Sequence, residues 1–480
     1  GDQNFLTEIK SVAILSNRDE AVIHGKGRKR KTVMEKNMTT GSPGKNILYF
    51  ALPVFAGNLF QQIYNVVDTV IVGKFVSTEA LAAVGSTGTI NFMILGFMTG
   101  LMAGITVLTS QRFGAGDMKG MRKSVVSAGV IALAATIILT AISLLGMHRL
   151  LVLMNTPDDI FDDAYRYIMI ICAGILVQAL YNLFACILRA LGNSKVPLYF
   201  LLFSASMNIV LDLVSIIVLK MGVAGAAYAT VISQGVSAVL CLIYMIKKVP
   251  ILHLSKEELH VESRLVKNQL SVGLPMAFQY SITAIGTTMV QMALNTLGST
   301  YVAAFTAASK CEQMSGQAYI ALGSAIATFA AQNVGAGRYD RVRKGFARAT
   351  EFGFAFSIVM GIVMYYWGYV VTGLFVSGDA SQIQGMVDTY MKFTALFLFP
   401  LTIVNVYRNG IQGMGYGLLP MMAGVAELVG RGSVALIAIH YHSYAGVCLA
   451  SPMAWILAST LLLIMYFAIM RKHPVKKKSE

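Results

Sequence analysis

Two aspartates of this 480-residue chain lie inside long apolar stretches, where a charged side chain is unfavourable and is by default a candidate for function. Asp68 and Asp212 have no lysine or arginine close to them in the sequence. Burial favours the protonated form of a carboxyl group, a second carboxyl nearby favours it further, and such a pair titrates as a unit. The chemistry open to these residues is therefore reversible binding of H⁺ or, if Na⁺ is the ion, coordination of a metal cation.

Polar neighbours fall at the same depth as these aspartates. Tyr64 lies one helical turn before Asp68, and Thr230 lies near the start of the apolar stretch that follows Asp212. At 1.5 Å per residue, we expect the four side chains about 6–12 Å inside one membrane boundary. The alternative is that the two aspartates are separate buried acids, each hydrogen-bonded to its own neighbours.

Four further ionisable residues lie within apolar stretches. Glu427 and Arg431 are four residues apart, so on one helix they can neutralise each other, which predicts a structural pair. Lys310 and Glu312 point in different directions on a helix, so each needs another partner. Lining of a cavity and structural pairing are both open for these two residues.

A substrate site has a less specific signature. Gln279, Met276 and Met292 occupy one apolar stretch and Met314 the next, and flexible methionines suit a surface that accommodates varied ligands. Because the chain has 27 methionines, ordinary core filling is the alternative for each of them.

Membrane-spanning helices must position all these residues. Apolar residues make up 56% of the chain and charged residues only 13%, against about 25% in soluble domains, which excludes an ordinary soluble enzyme and a disordered chain. A span needs about 20 predominantly apolar residues. Twelve segments meet this length, and we number them as spans 1 to 12: 46–72, 80–111, 124–147, 165–188, 196–219, 223–246, 269–297, 302–333, 345–376, 389–411, 418–439 and 444–470.

The cationic residues gather in alternate loops. Lysine and arginine number 38 against 23 acidic residues, for a net charge of +15. The loops after the even-numbered spans carry most of the lysine and arginine residues, and we count Arg408 among these loop residues. This positive-inside pattern predicts that both termini are cytoplasmic. The basic run His24–Lys31 is interpreted as a tail that contacts anionic membrane lipids, so no nucleic-acid partner is needed.

The sequence contains an internal repeat. The motifs LPVF and LPMA begin 222 residues apart, QRFGAG and QNVGAG begin 221 apart, and Gly192 and Gly415 are 223 apart. Six spans per half leave both halves in the same orientation, related by an axis along the membrane normal. This predicts an all-α polytopic membrane protein of two six-helix lobes. The predicted segments are an N-terminal tail 1–43, an N-terminal lobe 44–247, a linker 248–268, a C-terminal lobe 269–470 and a basic tail 471–480.

No motif in the sequence supplies another source of energy. There is no GxxxxGK[ST] run for ATP, which favours ion-coupled or facilitated transport, with no cofactor beyond the coupling ion. The cysteines show no CxxC spacing and are interpreted as small core residues. They are Cys172, Cys186, Cys241, Cys311 and Cys448.

Several runs resemble the multidrug and toxic compound extrusion (MATE) family. They are LPVFAGNLFQQIYNVVDTVIVG at 52–73, ALAAVG at 80–85, LRALGNSKVP at 188–197, NIVLDLVSI at 208–216, GAAYATVISQ at 225–234 and AQNVGAG at 331–337. The resemblance covers about residues 40–470 in both halves. It implies a V-shaped fold of twelve transmembrane helices and cation-coupled export of amphipathic, often cationic compounds.

The resemblance to the DinF-like prokaryotic branch of this family also implies a cation site in the N-terminal lobe. In chain order, the residues that it assigns to the site are Tyr64, Asp68, Asn182, Asn208, Asp212 and Thr230. Pro53 is implied as the point where the first helix bends when the site is loaded. Another branch keeps acidic residues in spans 7 and 10, but here span 7 offers Gln279 and Gln291 and span 10 has no central carboxylate. That departure favours coupling through the N-terminal lobe.

Together these observations predict a monomeric antiporter of the bacterial inner membrane. It would export small organic molecules by alternating access, in exchange for H⁺ or Na⁺. A flippase for a lipid-linked precursor is the alternative within the wider superfamily, and it would need a deep cationic cavity. A receptor or scaffold is a less consistent interpretation, because the chain contains no sizeable soluble domain.

Overall fold

A computed structural model describes residues 37–154, 156–373 and 383–474. The run His24–Lys31 and the last residues of the basic tail lie outside these ranges. Within them the chain forms sixteen α-helices joined by short turns. They are α1 Pro43–Phe75, α2 Thr78–Ser86, α3 Gly88–Ile105, α4 Val107–Gly114, α5 Met118–Leu153, α6 Asp158–Ala173, α7 Ile175–Ala190, α8 Lys195–Leu213, α9 Val223–Lys248, α10 Ser263–Asn295, α11 Ser299–Gly335, α12 Tyr339–Gly373, α13 Gln384–Leu396, α14 Leu398–Gly413, α15 Leu418–His440 and α16 Tyr444–Arg471.

These helices form the twelve predicted spans. Helices α2 to α4 make span 2, and the pairs α6–α7 and α13–α14 make spans 4 and 10, with bends of 47° and 52°. Length and composition alone identify seven spanning helices in the described chain, or nine if each bent pair is one span. The other three, α1, α10 and α11, have 33, 33 and 37 residues and are long enough to cross a bilayer. They are more polar, as is usual for helices that pack against other helices.

The internal repeat is visible in the turns at one face of the bundle. Gly116 and Gly337 end repeat-related helices with φ of 76° and 68°, and Gly192 and Gly415 do so with φ of 82° and 97°. Only glycine adopts this left-handed conformation without strain, which explains why these positions recur in both halves. We call this face, which also carries residues 37–42 and 472–474, the terminal face.

Spans 1 and 7 each divide their length between the two lobes. Near its start, α1 packs with Ile47 and Phe50 in the apolar core of the C-terminal lobe, whereas Ile71 near its end lies in the core of the N-terminal lobe. Helix α10 does the reverse, since Ala277 lies in the N-terminal core and Val290 in a C-terminal cluster. We call α1 and α10 the crossing helices.

At the terminal face the two lobes interlock by a reciprocal contact. The end of α4 at Gly114 lies against the backbone of Gln332, and the end of α11 at Gly335 lies against the backbone of Gln111. Each glutamine then caps a helix of the other lobe: Gln111 Nε2 donates to the Gly413 carbonyl at 3.2 Å, and Gln332 Nε2 donates to the Ala190 carbonyl at 3.0 Å. The pairs are related by the repeat, so this contact lies on the pseudo-twofold axis.

The segment that precedes α1 makes a further contact between the lobes at this face. Residues 37–42, which we call the strap, precede α1 and cross to the C-terminal lobe, where Met38 is fully buried. The Met38 amide donates to Gln332 Oε1 at 2.8 Å. Arg341 donates to the carbonyls of Met38, Thr40 and Gly41 at 2.9–3.1 Å, and to Asn333 Oδ1 at 3.0 Å. The strap therefore closes the terminal face on one side of the axis.

The linker between the lobes is attached to the start of α5. Three ion pairs join them, Lys119–Glu257 at 2.8 Å, Arg122–Glu258 at 2.7 Å and Lys123–Glu262 at 2.5 Å. Glu258 is only 2% exposed, and its carboxylate also caps the Ser255 amide at 2.8 Å. Burial raises the pKa of Glu258, but the hydrogen bonds from Arg122 and Ser255 outweigh it, so the pKa lies below its usual value.

Candidate cation site

Helices α1 and α8 each bring two of the predicted residues to one face. Tyr64 and Asp68 are four residues apart on α1, and Asn208 and Asp212 are four residues apart on α8, so each pair projects from one side of its helix. The two helices pack against each other, and α9 packs on α8 and brings Thr230. A short π-helical turn, Val214–Val218, begins two residues after Asp212.

The two aspartates meet. Asp212 is completely buried, and its carboxyl group lies within hydrogen-bonding reach of that of Asp68. A hydrogen bond between two carboxyl groups needs a proton on one of them, so this arrangement favours binding of a proton. The Oδ1 atom of each aspartate is buried and has no hydrogen-bond partner among the described residues. The alternative of two separate buried acids is therefore not the arrangement seen.

Asn208 links the pair to Thr230. With its amide nitrogen towards Asp212, Asn208 donates to Asp212 Oδ2 at 3.2 Å and accepts from the Thr230 amide at 3.2 Å. The opposite orientation leaves only a 3.4 Å contact from Nδ2 to Thr230 Oγ1. The first orientation pairs each donor with an acceptor, so we adopt it. The aspartates and their neighbours then offer oxygen atoms as ligands, and the Asn208 amide orients them. Oxygen ligands of this kind fit H⁺ or a hard cation.

A polar cavity of about 40 Å³, large enough for one or two water molecules, lies next to two neighbours of the carboxyl pair. Tyr64, Asn182 and Asn208 line it, and Asn182 donates to the Gln178 carbonyl at 2.9 Å. The structure thus gathers Tyr64, Asn208 and Thr230 around the aspartates and places Asn182 on the cavity that Tyr64 and Asn208 share.

Five further polar residues of the cavity were not predicted, namely Gln61, Tyr181, Ser204, Ser233 and Gln234. Helical spacing could have identified two of them, because Gln61 lies on the same face of α1 as Tyr64, and Ser204 lies one turn before Asn208. Tyr167, on α6, also interacts electrostatically with both aspartates. Its position depends on the packing of α6 against α9, which no sequence pattern indicates.

Pro53 lies in the interior of α1, at the boundary between its two environments. Nine residues earlier, Gly44 faces Phe352 and Arg348 of the C-terminal lobe; four residues later, Gly57 faces Leu201 of α8. Proline removes one hydrogen bond from the helix ladder and so creates a point of weakness. A bend there would move the half of α1 that carries Asp68 relative to the C-terminal lobe.

The C-terminal lobe contains a buried ion cluster instead of a carboxyl pair. The predicted pair is confirmed, with Arg431 Nη2 and Glu427 Oε1 3.0 Å apart. Arg408 joins it at 2.6 Å from Glu427 Oε2. The prediction of Arg408 as a loop residue is wrong, because it lies inside α14 and is 9% exposed. An ion pair with Glu427 makes this burial tolerable.

Lys310 and Glu312 point in different directions, as expected. Glu312 accepts a hydrogen bond from the Tyr390 hydroxyl and turns into the C-terminal lobe, whereas Lys310 is exposed on the other side of α11. All five cysteines are free and buried, as predicted. Among the described residues, no group of three or more histidines, cysteines or acidic residues is arranged to hold a metal.

The four residues considered for substrate lie in different surroundings. Gln279 accepts from Gln412 Nε2 at 2.7 Å inside the C-terminal lobe. Met276 packs against Gly100 and Gly104 of α3, where the lobes touch. Met292 is 62% exposed, and Met314, on α11, is half-buried. They do not form one continuous wall.

The chain is similar to known transporters over most of its length. The sequence model of the MatE family matches residues 53–214 and 275–436, once in each lobe. A "probable multidrug resistance protein" of Bacillus subtilis, YpnP, is 30% identical over 387 residues, which are 80% of this chain and 86% of that protein. A second from the same organism, YoeA, is 24% identical over 90% of this chain and 95% of its own length. A solved multidrug resistance MATE family transporter of the MOP superfamily, in an outward-facing conformation, superposes with a TM-score of 0.86 at 22% identity, covering 94% of this chain and all of that one.

Proposed function

The chain belongs to the MatE family of multi-pass membrane transporters, and from that premise we propose that it exports amphipathic or cationic organic molecules in exchange for an inward-moving cation. The contact between the Asp68 and Asp212 carboxyl groups is the observation that carries the coupling. With a proton bound, the pair can form a hydrogen bond between its carboxyl groups; once the proton is lost, it presents two like charges side by side. Loading and unloading therefore change the packing of α1 against α8.

The crossing of α1 between the lobes supports a route from this site to alternating access. Asp68 lies on the half of α1 that packs in the N-terminal lobe, and the half before Pro53 packs in the C-terminal lobe. Repulsion between Asp68 and Asp212 is relieved when the half of α1 that carries Asp68 moves. A bend at Pro53 passes that movement to the other lobe. Proton binding then selects between two arrangements of the lobes.

We assign the terminal face to the cytoplasm of a bacterial inner membrane. The loops of this face carry most of the basic residues of the chain, as the positive-inside rule requires. The hydrogen bonds that join the lobes in the described chain also lie at this face. The structure then corresponds to a state closed on the cytoplasmic side.

The coupling ion in this proposal is H⁺. Burial of Asp212 beside a second carboxyl group favours binding of a proton. A motive force of about 150 mV supplies about 3.5 kcal/mol per charge, enough for a concentration ratio of a few hundredfold. One proton per cycle is therefore sufficient for useful export.

The test is transport in proteoliposomes with the pH and Na⁺ gradients set independently. We expect a pH gradient to drive dye export by the wild type, and Asp68→Asn and Asp212→Asn each to abolish it because neither variant retains an ionisable pair. Asp388→Asn is the matched control, since Asp388 pairs with Lys392 on α13, away from the site. Full export by both site variants would refute the assignment of the site. Export driven only by Na⁺ would refute the proton.

A further inference from the structure

The repeat relates the C-terminal ion cluster to polar positions beside the two aspartates. With the offset of 223 found for Gly192 and Gly415, Asn208 of the cation site corresponds to Arg431. By the same offset Ser204 corresponds to Glu427, Ala185 to Arg408 and Asn182 to Asn405, whereas Asp212 corresponds to Ala435 and Asp68, at the offset of 222, to Val290. The C-terminal ion cluster is therefore the counterpart of the polar cavity beside the aspartates, which Asn182, Ser204 and Asn208 line.

The packing around Arg431 supports this correspondence independently of the alignment. In the N-terminal lobe, Tyr64 of α1 and Asn208 of α8 line one cavity. The counterpart of Tyr64, at the offset of 222 that relates spans 1 and 7, is Gly286 on α10. A Cβ atom at Gly286 would lie 2.9 Å from Arg431 Nη1. The guanidinium group thus occupies space next to α10 that the absence of a side chain at Gly286 leaves free.

The charges of the two sites differ in a consistent way. The N-terminal site has two carboxyl groups and no cation, whereas in the C-terminal lobe Glu427 binds both Arg408 and Arg431. Glu312, on α11, also interacts electrostatically with Arg431. Arg431 is only 5% exposed, and its Nε has no acceptor among the described residues. The cluster thus places a cationic side chain, bound to Glu427, at the positions that in the other lobe line the polar cavity.

We propose that Arg431 is a tethered cation that permanently fills the C-terminal counterpart of the polar cavity beside the aspartates. The site beneath it is one for a planar monovalent organic cation of the guanidinium type, held by Glu427 with the charge of Glu312 nearby. The charge of the C-terminal lobe is then constant through the cycle, and only the N-terminal lobe titrates. This inference rests on the proposed function only in taking the Asp68–Asp212 pair as the exchangeable site.

The proposal is tested by binding, without transport. Arg431→Ala removes the guanidinium and leaves both acids, so free guanidinium ion should bind in its place. We expect guanidinium chloride up to about 10 mM, at ionic strength held constant with NaCl, to raise the Tm of the purified variant saturably. The wild type, whose site is filled, should show no such rise.

Arg341→Ala is the matched control. Arg341 is 8% exposed, and its described acceptors are carbonyl and amide oxygens of the strap and Asn333, so the space that it leaves lacks a carboxylate partner. A folded Arg431→Ala protein with no saturable rise, or with the same rise as Arg341→Ala, would overturn the proposal. If Arg431→Ala does not fold, it is purified with 10 mM guanidinium or 10 mM NaCl throughout. Recovery of folded protein only with guanidinium supports the proposal, and recovery with neither salt or equally with both overturns it.

The outcome is separable from that of the proposed function. Proton-driven export with no binding of guanidinium to Arg431→Ala would refute the tethered cation and leave the transporter intact. Binding of guanidinium, together with full export by Asp68→Asn and Asp212→Asn, would leave the C-terminal site and refute the N-terminal one.

Discussion

A single methyl group at the reciprocal contact should open the terminal face. Gly114 and Gly335 end their helices with ordinary backbone angles, so alanine is compatible with the local conformation at both positions. In the described state, however, a Cβ at Gly114 would come closer than 3.0 Å to the backbone of Gln332, and one at Gly335 equally close to the backbone of Gln111. Backbone atoms cannot rotate aside as a flexible side chain can. The clash is relieved only when the lobes separate at this face.

The size of the effect follows from the cost of overpacking. Insertion of a methyl group into a close contact costs about 1–3 kcal/mol. If the state open at the terminal face lacks the contact, the cost falls on the closed state alone. The ratio of open to closed molecules then rises about 5- to 150-fold for Gly114→Ala or Gly335→Ala. Because the repeat relates the two positions, both variants should shift the equilibrium in the same direction.

The assay is a distance measurement between spin labels on the two lobes. Lys119, at the start of α5, and Arg338, just before α12, are exposed on the terminal face in the two lobes, and cysteines at these positions can be labelled in a protein that lacks the five buried cysteines. We expect longer distances to gain population in both variants. Gly129→Ala is the control, because no atom lies within 4 Å of a Cβ at that position of α5. Unchanged distances in folded Gly114→Ala and Gly335→Ala would refute the reasoning.

Two further predictions concern the same face. Arg341→Ala removes the donor to three strap carbonyls and should weaken the attachment of the strap to the C-terminal lobe by about 1.5–3 kcal/mol. Hydrogen exchange at residues 37–42 should then accelerate. Exchange at wild-type rates would show that the strap is held by Met38 alone. Glu258 has a folded-state pKa below its unfolded value. Its contribution to the stability of the folded linker is therefore present above the unfolded pKa of about 4.3 and is lost as the pH falls through the folded value. Proteolysis of the linker should therefore increase in acid for the wild type, and Glu258→Gln should be cleaved readily at neutral pH as well; equal resistance of the two proteins at neutral pH would contradict this.

The local pattern of the sequence was sufficient for the fold because the twelve spans and the repeat are long, regular signals. Helical spacing also predicted the pair of Glu427 with Arg431, since both partners lie on one helix. The contact between Asp68 and Asp212 could be expected only from their depth, because the partners are on helices far apart in the chain. Their placement together depends on the packing of α1 on α8.

Two buried contacts with partners on other helices escaped prediction altogether. Arg408 stands near the end of an apolar segment, where its charge favours a loop, and only its partner on α15 explains why it is buried. Likewise, the strap has no apolar periodicity, and its position depends on the hydrogen bonds from Arg341. In each case the deciding partner is distant in sequence and belongs to another helix.

The crossing of α1 has a consequence for how the protein is made. The apolar side chains before Pro53, including Met38, Ile47 and Phe50, belong to a core built by helices of the second half of the chain. Phe329 and Phe346 are two of the side chains that these helices contribute. A ribosome produces α1 before any of these helices exist. The first helix to enter the bilayer must therefore wait, with one end unpacked, until the C-terminal lobe has been inserted. Synthesis that stops after the N-terminal lobe would leave this end of α1 exposed to lipid and to the machinery that removes incomplete membrane proteins.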